Sequence, residues 1–146
     1  MTKHLQTISE IMTSPPITVG PEMTLFDAYG EMHENGIRRL PVTAADGTLI
    51  GIVTLSDIQK TIPMLRDERD SETELLLNGQ FVHQVMTSDP VTVSPEDTIQ
   101  DVAEVMLENQ VSGIPVVQGQ KLIGIITESD IFAMIVESWG EMVLSL

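Results

Sequence analysis

The chain contains an internal repeat, and this feature restricts its possible folds more than any other. Residues 12–22 (MTSPPITVGPE) resemble residues 86–96 (MTSDPVTVSPE), a separation of 74 positions (86 − 12). Further along, residues 51–57 (GIVTLSD) match residues 124–130 (GIITESD) at a separation of 73. About half of the paired positions are identical, which is far above chance. The 146 residues are therefore predicted to form two similar subdomains, each only marginally stable alone.

Both copies begin with the same pattern of predicted elements. Short β-branched runs bounded by proline, at residues 17–19 and 91–93, predict the first strand of each copy. Thr24 and Thr98 then begin patterns typical of helix capping boxes. Apolar residues at helical spacing follow each threonine. Each copy is therefore predicted to continue with an amphipathic helix.

The second half of each copy predicts two strands and a helix. The Asn-Gly pair at residues 35–36 is a helix stop, and Asn109 takes its place less well in the second copy. Two β-branched runs around a short polar turn then predict a hairpin. A last helix is expected to begin near Ser56 or Ser129. The order β-α-β-β-α gives an α/β (α+β) fold class.

The repeat also predicts the domain boundaries. We assign the first copy to residues 1–66, an acidic linker to residues 67–80, and the second copy to residues 81–146. The linker is compatible with a solvated helix or with a mobile connection. We expect the three leucines at residues 75–77 to return the chain to the core.

The C-terminal segment carries apolar residues at helical spacing. They either pack internally or form a dimer face, and the sequence leaves both interpretations open. The residues are Ile131, Phe132, Ile135, Trp139, Met142, Val143 and Leu146.

The charge of the chain excludes several classes of partner. Seven lysines and arginines against 22 aspartates and glutamates give a net charge of −15. Nucleic-acid binding requires a basic surface, and anionic membranes repel an acidic one. We therefore expect neither nucleic acid nor membrane insertion.

Cysteine is absent, which excludes disulfides and thiolate zinc sites. The N-terminus lacks the apolar stretch of a signal peptide, and no apolar run is long enough for a membrane span. His4, His33 and His83 have no partner at metal-ligand spacing. We expect a cytoplasmic protein without a metal site.

The duplicated motifs resemble a known family. The segments GIVTLSD and GIITESD, the upstream Leu-Pro-Val and Ile-Pro-Val strands and the two Met-Thr openings resemble the cystathionine-β-synthase (CBS) domain. The resemblance covers nearly the whole chain. It implies a Bateman module, in which two tandem CBS repeats pack about a pseudo-twofold axis and leave two clefts.

The resemblance also implies a function. Such clefts commonly bind AMP, ADP, ATP or S-adenosylmethionine, and the modules often form homodimers that regulate a separate effector protein. We therefore expect a non-catalytic ligand sensor that requires no cofactor and whose nucleotide ligand can be accompanied by Mg2+. The alternative is a ligand-free module that mediates protein association. No nucleophile with an adjacent base points to an enzyme.

The end of each GhhTxSD segment is the candidate ligand site. At Thr54 and Asp57 a strand ends and a helix begins, so the hydroxyl can contact phosphate and the carboxylate can accept from ribose hydroxyls. Thr127 and Asp130 repeat the pattern. The same spacing is also a capping box. Both roles remain compatible with the sequence.

The two copies differ most at Arg38 and Arg39, which are the only adjacent basic residues. In the family, basic residues at this place often contact phosphate, and arginine binds phosphate bidentately. The alternative is a weak surface ion pair. The second copy has Ser-Gly at residues 112–113. We therefore predict two unequal nucleotide sites, to which we also assign Thr18, Thr92, Pro41 and Pro115.

Overall fold

The computed structural model describes residues 6–62 and 71–145, with side chains described up to residue 140. The chain packs into two units. One unit is Ile17–Pro90, and the other combines Met1–Pro16 with Val91–Leu146. The units therefore differ from the sequence repeats at their openings: the segment that begins each copy of the repeat packs with the other copy.

The unit Ile17–Pro90 combines helices with a small antiparallel sheet. Strands β1 and β2 form a hairpin, and β3 adds to β2, giving the order β1-β2-β3. Its elements are α1 (Leu25–Asn35), β1 (Arg39–Thr43), β2 (Leu49–Thr54), α2 (Leu55–Gln59), α3 (Ser71–Asn78), α4 (Val82–Val85) and β3 (Thr87–Ser88).

The other unit has the same plan. After a 3-10 turn over Ile8–Glu10, the extended residue Thr13 pairs with Ile125. The elements that follow are α5 (Ile99–Asn109), β4 (Gly113–Gln118), β5 (Lys121–Thr127) and α6 (Glu128–Ser145). Strands β4 and β5 form an antiparallel hairpin. The α+β fold class and the predicted hairpins are confirmed.

The predicted first strands are shorter than expected. Each is reduced to one bridging residue, Val19 beside Val42 and Val93 beside Val116, both in parallel. The Val19 amide donates to the Pro41 carbonyl at 3.1 Å, and the Val19 carbonyl accepts from the amide of Thr43 at 3.0 Å. Prolines flank both segments and lack the N–H that a longer ladder needs.

The predicted helix starts are confirmed at atomic detail. The Asp27 amide donates to Thr24 Oγ1 at 3.1 Å, and Thr98 with Asp101 forms a complete capping box. At the C-terminus of α1, Gly36 adopts the left-handed conformation with φ 62°. At the C-terminus of α5 in the second copy, Gln110 adopts the left-handed conformation instead of Asn109.

The connection between the copies contains a helix. Residues 71–80 of the predicted linker form α3 and the turn after it, and α3 packs against α1. Thr73 and Leu77 are buried, whereas Leu75 and Leu76 are exposed. Of the three leucines expected to return the chain to the core, only Leu77 does so. The remainder of the predicted linker lies outside the described residues.

Because the opening segments are exchanged, one position in each unit requires a glycine. The chain at Met86 and Thr87 crosses Gly51, and a Cβ atom added there would lie 2.6 Å from Met86 Sδ and 2.9 Å from the Thr87 carbonyl oxygen. Met12 and Thr13 cross Gly124 in the same way, at 2.7 and 3.0 Å. Real Cβ atoms do not approach backbone oxygen this closely, so a side chain at either glycine requires the crossing segment to move.

We predict that Gly51→Ala and Gly124→Ala each lower the free energy of unfolding by about 1–3 kcal/mol, because the added methyl group overpacks the crossing. Urea denaturation measures the change. Gly20→Ala is the matched control, because a Cβ atom there meets nothing within 4 Å. Equal stability of Gly51→Ala and Gly20→Ala would contradict the proposed role of the crossing.

Candidate functional site

The first candidate site lies where β2 ends and α2 begins. Thr54 Oγ1 accepts the Asp57 amide at 3.1 Å, and Asp57 Oδ2 accepts the Thr54 amide at 2.9 Å. Both residues are half-buried. The capping interpretation is therefore confirmed. The cap engages one carboxylate oxygen of Asp57, so Oδ1 keeps its capacity to accept from a ligand.

The second candidate site repeats this corner with one difference. Asp130 Oδ2 accepts both the Thr127 amide at 2.9 Å and the Thr127 hydroxyl at 3.0 Å. The hydroxyl hydrogen of Thr127 is thus directed to Asp130. In the first copy, by contrast, the Thr54 hydroxyl accepts the Asp57 amide and does not donate to the Asp57 carboxylate within the described part of the chain. This hydroxyl can therefore still donate to a ligand.

The two adjacent arginines belong to different faces of the sheet. Arg39 lies opposite Thr54 in the β1–β2 register, and paired residues project from the same face. Arg38 precedes the strand, and its carbonyl accepts the Leu55 amide at 2.8 Å. Arg38 stands at a bend just before β1, and its side chain lines a groove beside α1. The structure therefore places Arg39 opposite Thr54, the capping partner of Asp57, and it places Arg38 on the other side.

In the second copy, Gly113 occupies the position of Arg39 and lies opposite Thr127. Ser112 replaces Arg38, and its carbonyl accepts the Glu128 amide at 3.0 Å. Glu128 stands where the first copy has Leu55. The second corner therefore loses both cations and gains one carboxylate.

The remaining predicted site residues lie on the strands that lead to these corners. Pro41 and Pro115 are buried, and their carbonyls accept the amides of Val19 and Val93. Thr18 and Thr92 precede those valines and are exposed. The prolines thus hold the short first strands in place, and the threonines remain accessible to solvent.

A groove of about 260 Å³ lies on the helix side of the first unit. The prediction of the site did not include this groove. One feature of the sequence could have indicated the groove: an aromatic residue and a histidine four positions apart on α1. Its lining includes Tyr29, Met32, His33, Ile37, Arg38 and Leu55.

Two further properties of the described residues bear on function. Across residues 6–62 and 71–145, no three histidine, aspartate or glutamate side chains gather in a way that could hold a metal ion. Within the same residues, no helix combines the length and apolar character that crossing a bilayer requires.

Solved structures of known proteins share this fold. The CBS domain pair of protein MJ0100, in complex with 5′-methylthioadenosine and S-adenosyl-L-methionine, has a TM-score of 0.76 and 26% identity over 92% of this chain and 98% of that chain. CBSX2 in complex with AMP has a TM-score of 0.77 and 27% identity over 90% of this chain and 97% of that chain.

Sequence comparison leads to the same family. The homoserine O-acetyltransferase of Methanosalsum zhilinae is 32% identical over 130 residues, which make up 88% of this chain and 24% of the enzyme. This chain thus spans about a quarter of that relative. The family model of the CBS domain matches residues 8–63 and 82–137. The chain belongs to the CBS domain family and contains a pair of these domains.

Proposed function

We propose that this chain is a non-catalytic regulatory module that binds an adenosine-containing ligand and signals to a separate partner protein. The observation that carries the proposal is the duplicated strand-to-helix corner. At each corner a threonine and an aspartate are held in place by their own capping bonds. The binding groups are therefore fixed before a ligand arrives.

The first corner has the groups that a nucleoside phosphate needs. Asp57 Oδ1 can accept from the two vicinal ribose hydroxyls, as acidic residues do in other nucleotide-binding folds. The Thr54 hydroxyl can donate to the ligand. Arg39, on the same face of the sheet, can bind phosphate oxygens bidentately. Thr18 and Pro41 border this face and complete the proposed first site.

The second corner suits a different ligand. Thr127 and Asp130 repeat the ribose-binding pair, with Thr92 and Pro115 beside them, but Gly113 supplies no cation. Glu128 adds a negative charge at the same place. We therefore propose that this site binds an uncharged or cationic adenosyl compound, of which S-adenosylmethionine is one.

The relatives support an adenosine-containing ligand, because their CBS pairs bind AMP in one structure and S-adenosyl-L-methionine with 5′-methylthioadenosine in another. The net charge of −15 favours AMP over ADP or ATP, unless Mg2+ accompanies the more highly charged ligands. Salt screens this preference over about 8 Å at physiological strength. We also propose a homodimer and a cytoplasmic location.

A second candidate function, protein association without a ligand, rests on helix α6. Its apolar residues divide between two faces: Ile131 is buried, whereas Phe132, Val136 and Trp139 are 59%, 65% and 64% exposed. Leu107, on the adjoining helix α5, is 80% exposed. Contiguous exposed apolar groups of this size mark interaction surfaces. The side chains of Met142, Val143 and Leu146 lie outside the described residues.

We predict that AMP raises the melting temperature of the protein and that Arg39→Gln weakens AMP binding by about tenfold, because a charge-assisted phosphate contact is lost. Adenosine, which has no phosphate, should bind both proteins equally. Calorimetric titration measures the affinities. Arg38→Gln removes the same charge one residue away and should leave AMP affinity within about twofold. Unchanged AMP affinity in Arg39→Gln would overturn the assignment of Arg39.

We predict that Thr54→Ala lowers both stability and AMP affinity, whereas Thr24→Ala lowers stability alone. Each substitution removes one helix cap and should cost about 1 kcal/mol of unfolding free energy. Urea denaturation and calorimetry separate the two effects. If the two variants lost AMP affinity equally, Thr54 would have only a structural role.

We predict that the chain is a dimer in sedimentation experiments and that Val136→Glu makes it monomeric, because a carboxylate then enters the apolar face. Leu75→Glu is the control, since Leu75 is 74% exposed on α3 in the other unit. Trp139 is the only tryptophan of the chain. Its side chain should become more accessible in the monomer, so that quenchers reduce the tryptophan fluorescence more strongly. A monomeric wild-type protein would exclude this face as the dimer interface.

A further inference from the structure

The groove of the first unit carries a chemical pattern that the proposed adenosine site does not use. Along α1, the rings of Tyr29 and His33 stand one helical turn apart, with centroids separated by 6.5 Å and planes only 13° apart. The rings therefore share one orientation. A flat group in the groove can lie along both of them.

The same groove has a cation at one end and an apolar floor. Arg38 is exposed and lines the groove together with Met32 and Leu55. Met32 is 2% exposed and belongs to the core. A planar guanidinium beside aromatic rings matches a ligand with a flat apolar body and one acidic group, because arginine binds carboxylates bidentately.

The size of the groove limits the ligand. A volume of about 260 Å³ holds about nine groups of water size at about 30 Å³ each. This number suits one aromatic ring with a carboxyl group. The groove is lined from α1 and Arg38, whereas Arg39 and Thr54 pair on the other face of the hairpin, so the groove is not simply another part of the adenosine site.

The second copy of the repeat provides an internal comparison. At the positions of Tyr29, His33, Arg38 and Leu55, the second copy has Ala103, Leu107, Ser112 and Glu128. The core position Met32, by contrast, keeps its methionine as Met106, and both are buried. The shared fold therefore does not require the aromatic and basic residues of the groove.

We propose that this groove binds a monocyclic aromatic carboxylate, with the carboxylate on Arg38 and the ring along Tyr29 and His33. The site lies on the helix side of the sheet, on the face opposite Arg39 and Thr54. It is a ligand site in addition to the two proposed adenosine sites and does not depend on the binding of an adenosine compound.

Titration of the isotope-labelled protein with sodium benzoate, followed by amide NMR shifts, tests the proposal. Benzoate should shift the amides of Gly36, Arg38 and Leu55 saturably, with a Kd of about 1 mM or below. Acetate supplies the carboxylate alone and benzyl alcohol the ring alone, so each should bind at least about tenfold more weakly. The amides of Val111 and Glu128, in the second copy, should not shift.

Three variants make the test specific. Arg38→Gln and His33→Leu should each weaken benzoate binding, Arg38→Gln by about tenfold. Arg39→Gln, the matched loss of charge on the other face, should leave the Kd within about twofold. The amide spectrum itself reports whether each variant is folded.

Wild-type affinity in Arg38→Gln, equal binding of acetate and benzoate, or saturable benzoate shifts that spare the amides of Gly36 and Arg38 would each overturn the proposal. A titration with AMP in the same samples keeps the two sites distinguishable. If AMP failed to bind while benzoate shifted Gly36, Arg38 and Leu55, the proposed function would fail and the groove would stand.

Discussion

The rest of the structure depends on the crossing of each hairpin by the opening segment of the other repeat. Strand β3 pairs with β2 across Gly51, and Thr13 pairs with Ile125 beside Gly124. The crossing segments also lead into the cores: Val82 is fully buried in the first unit and Ile8 in the second. Each hydrophobic core thus contains residues from both repeats. In each unit, a short stretch of backbone pairing beside one glycine joins segments of the two repeats.

This arrangement explains why the candidate sites lie at fixed corners. The crossing and the first-strand bridge hold the hairpin on both sides, and the capping pair then fixes the turn from β2 into α2. The cap satisfies the exposed amides at the start of the helix. Asp57 can serve a ligand as well because a carboxylate accepts several hydrogen bonds. Structural and binding roles are therefore compatible in the same residue.

Much of this architecture could be predicted from the sequence, because the duplication doubles every local signal. The element order, the caps at Thr24 and Thr98 and the hairpins follow from residue patterns that act over a few positions. The short length of the first strands could not be predicted. β-Branched residues indicate an extended chain, but they do not indicate how many ladder hydrogen bonds remain possible between the flanking prolines. The exchange of opening segments is a contact distant in sequence, and no local pattern at Met12 or Met86 indicates it.

The candidate sites divide in the same way. The hydrogen-bonded pairing of Thr54 with Asp57 is local, and the sequence predicts it from the spacing of the two residues. The separation of Arg38 from Arg39 depends on where β1 begins, which set the two side chains on different faces. The groove required α1, the start of β1 and α2 together, so only its Tyr29–His33 spacing could be detected beforehand. The division of α6 into a buried and an exposed face likewise required the packed structure.

The exchanged segments also bear on how such a chain could arise. A protein with one repeat would have no second copy in its own chain to cover its hairpin glycine, so two molecules would have to exchange their openings. Once both halves lie in one chain, each position can mutate separately from its counterpart. Arg38 aligns with Ser112 and Leu55 with Glu128, so the corresponding surfaces of the two halves differ in charge.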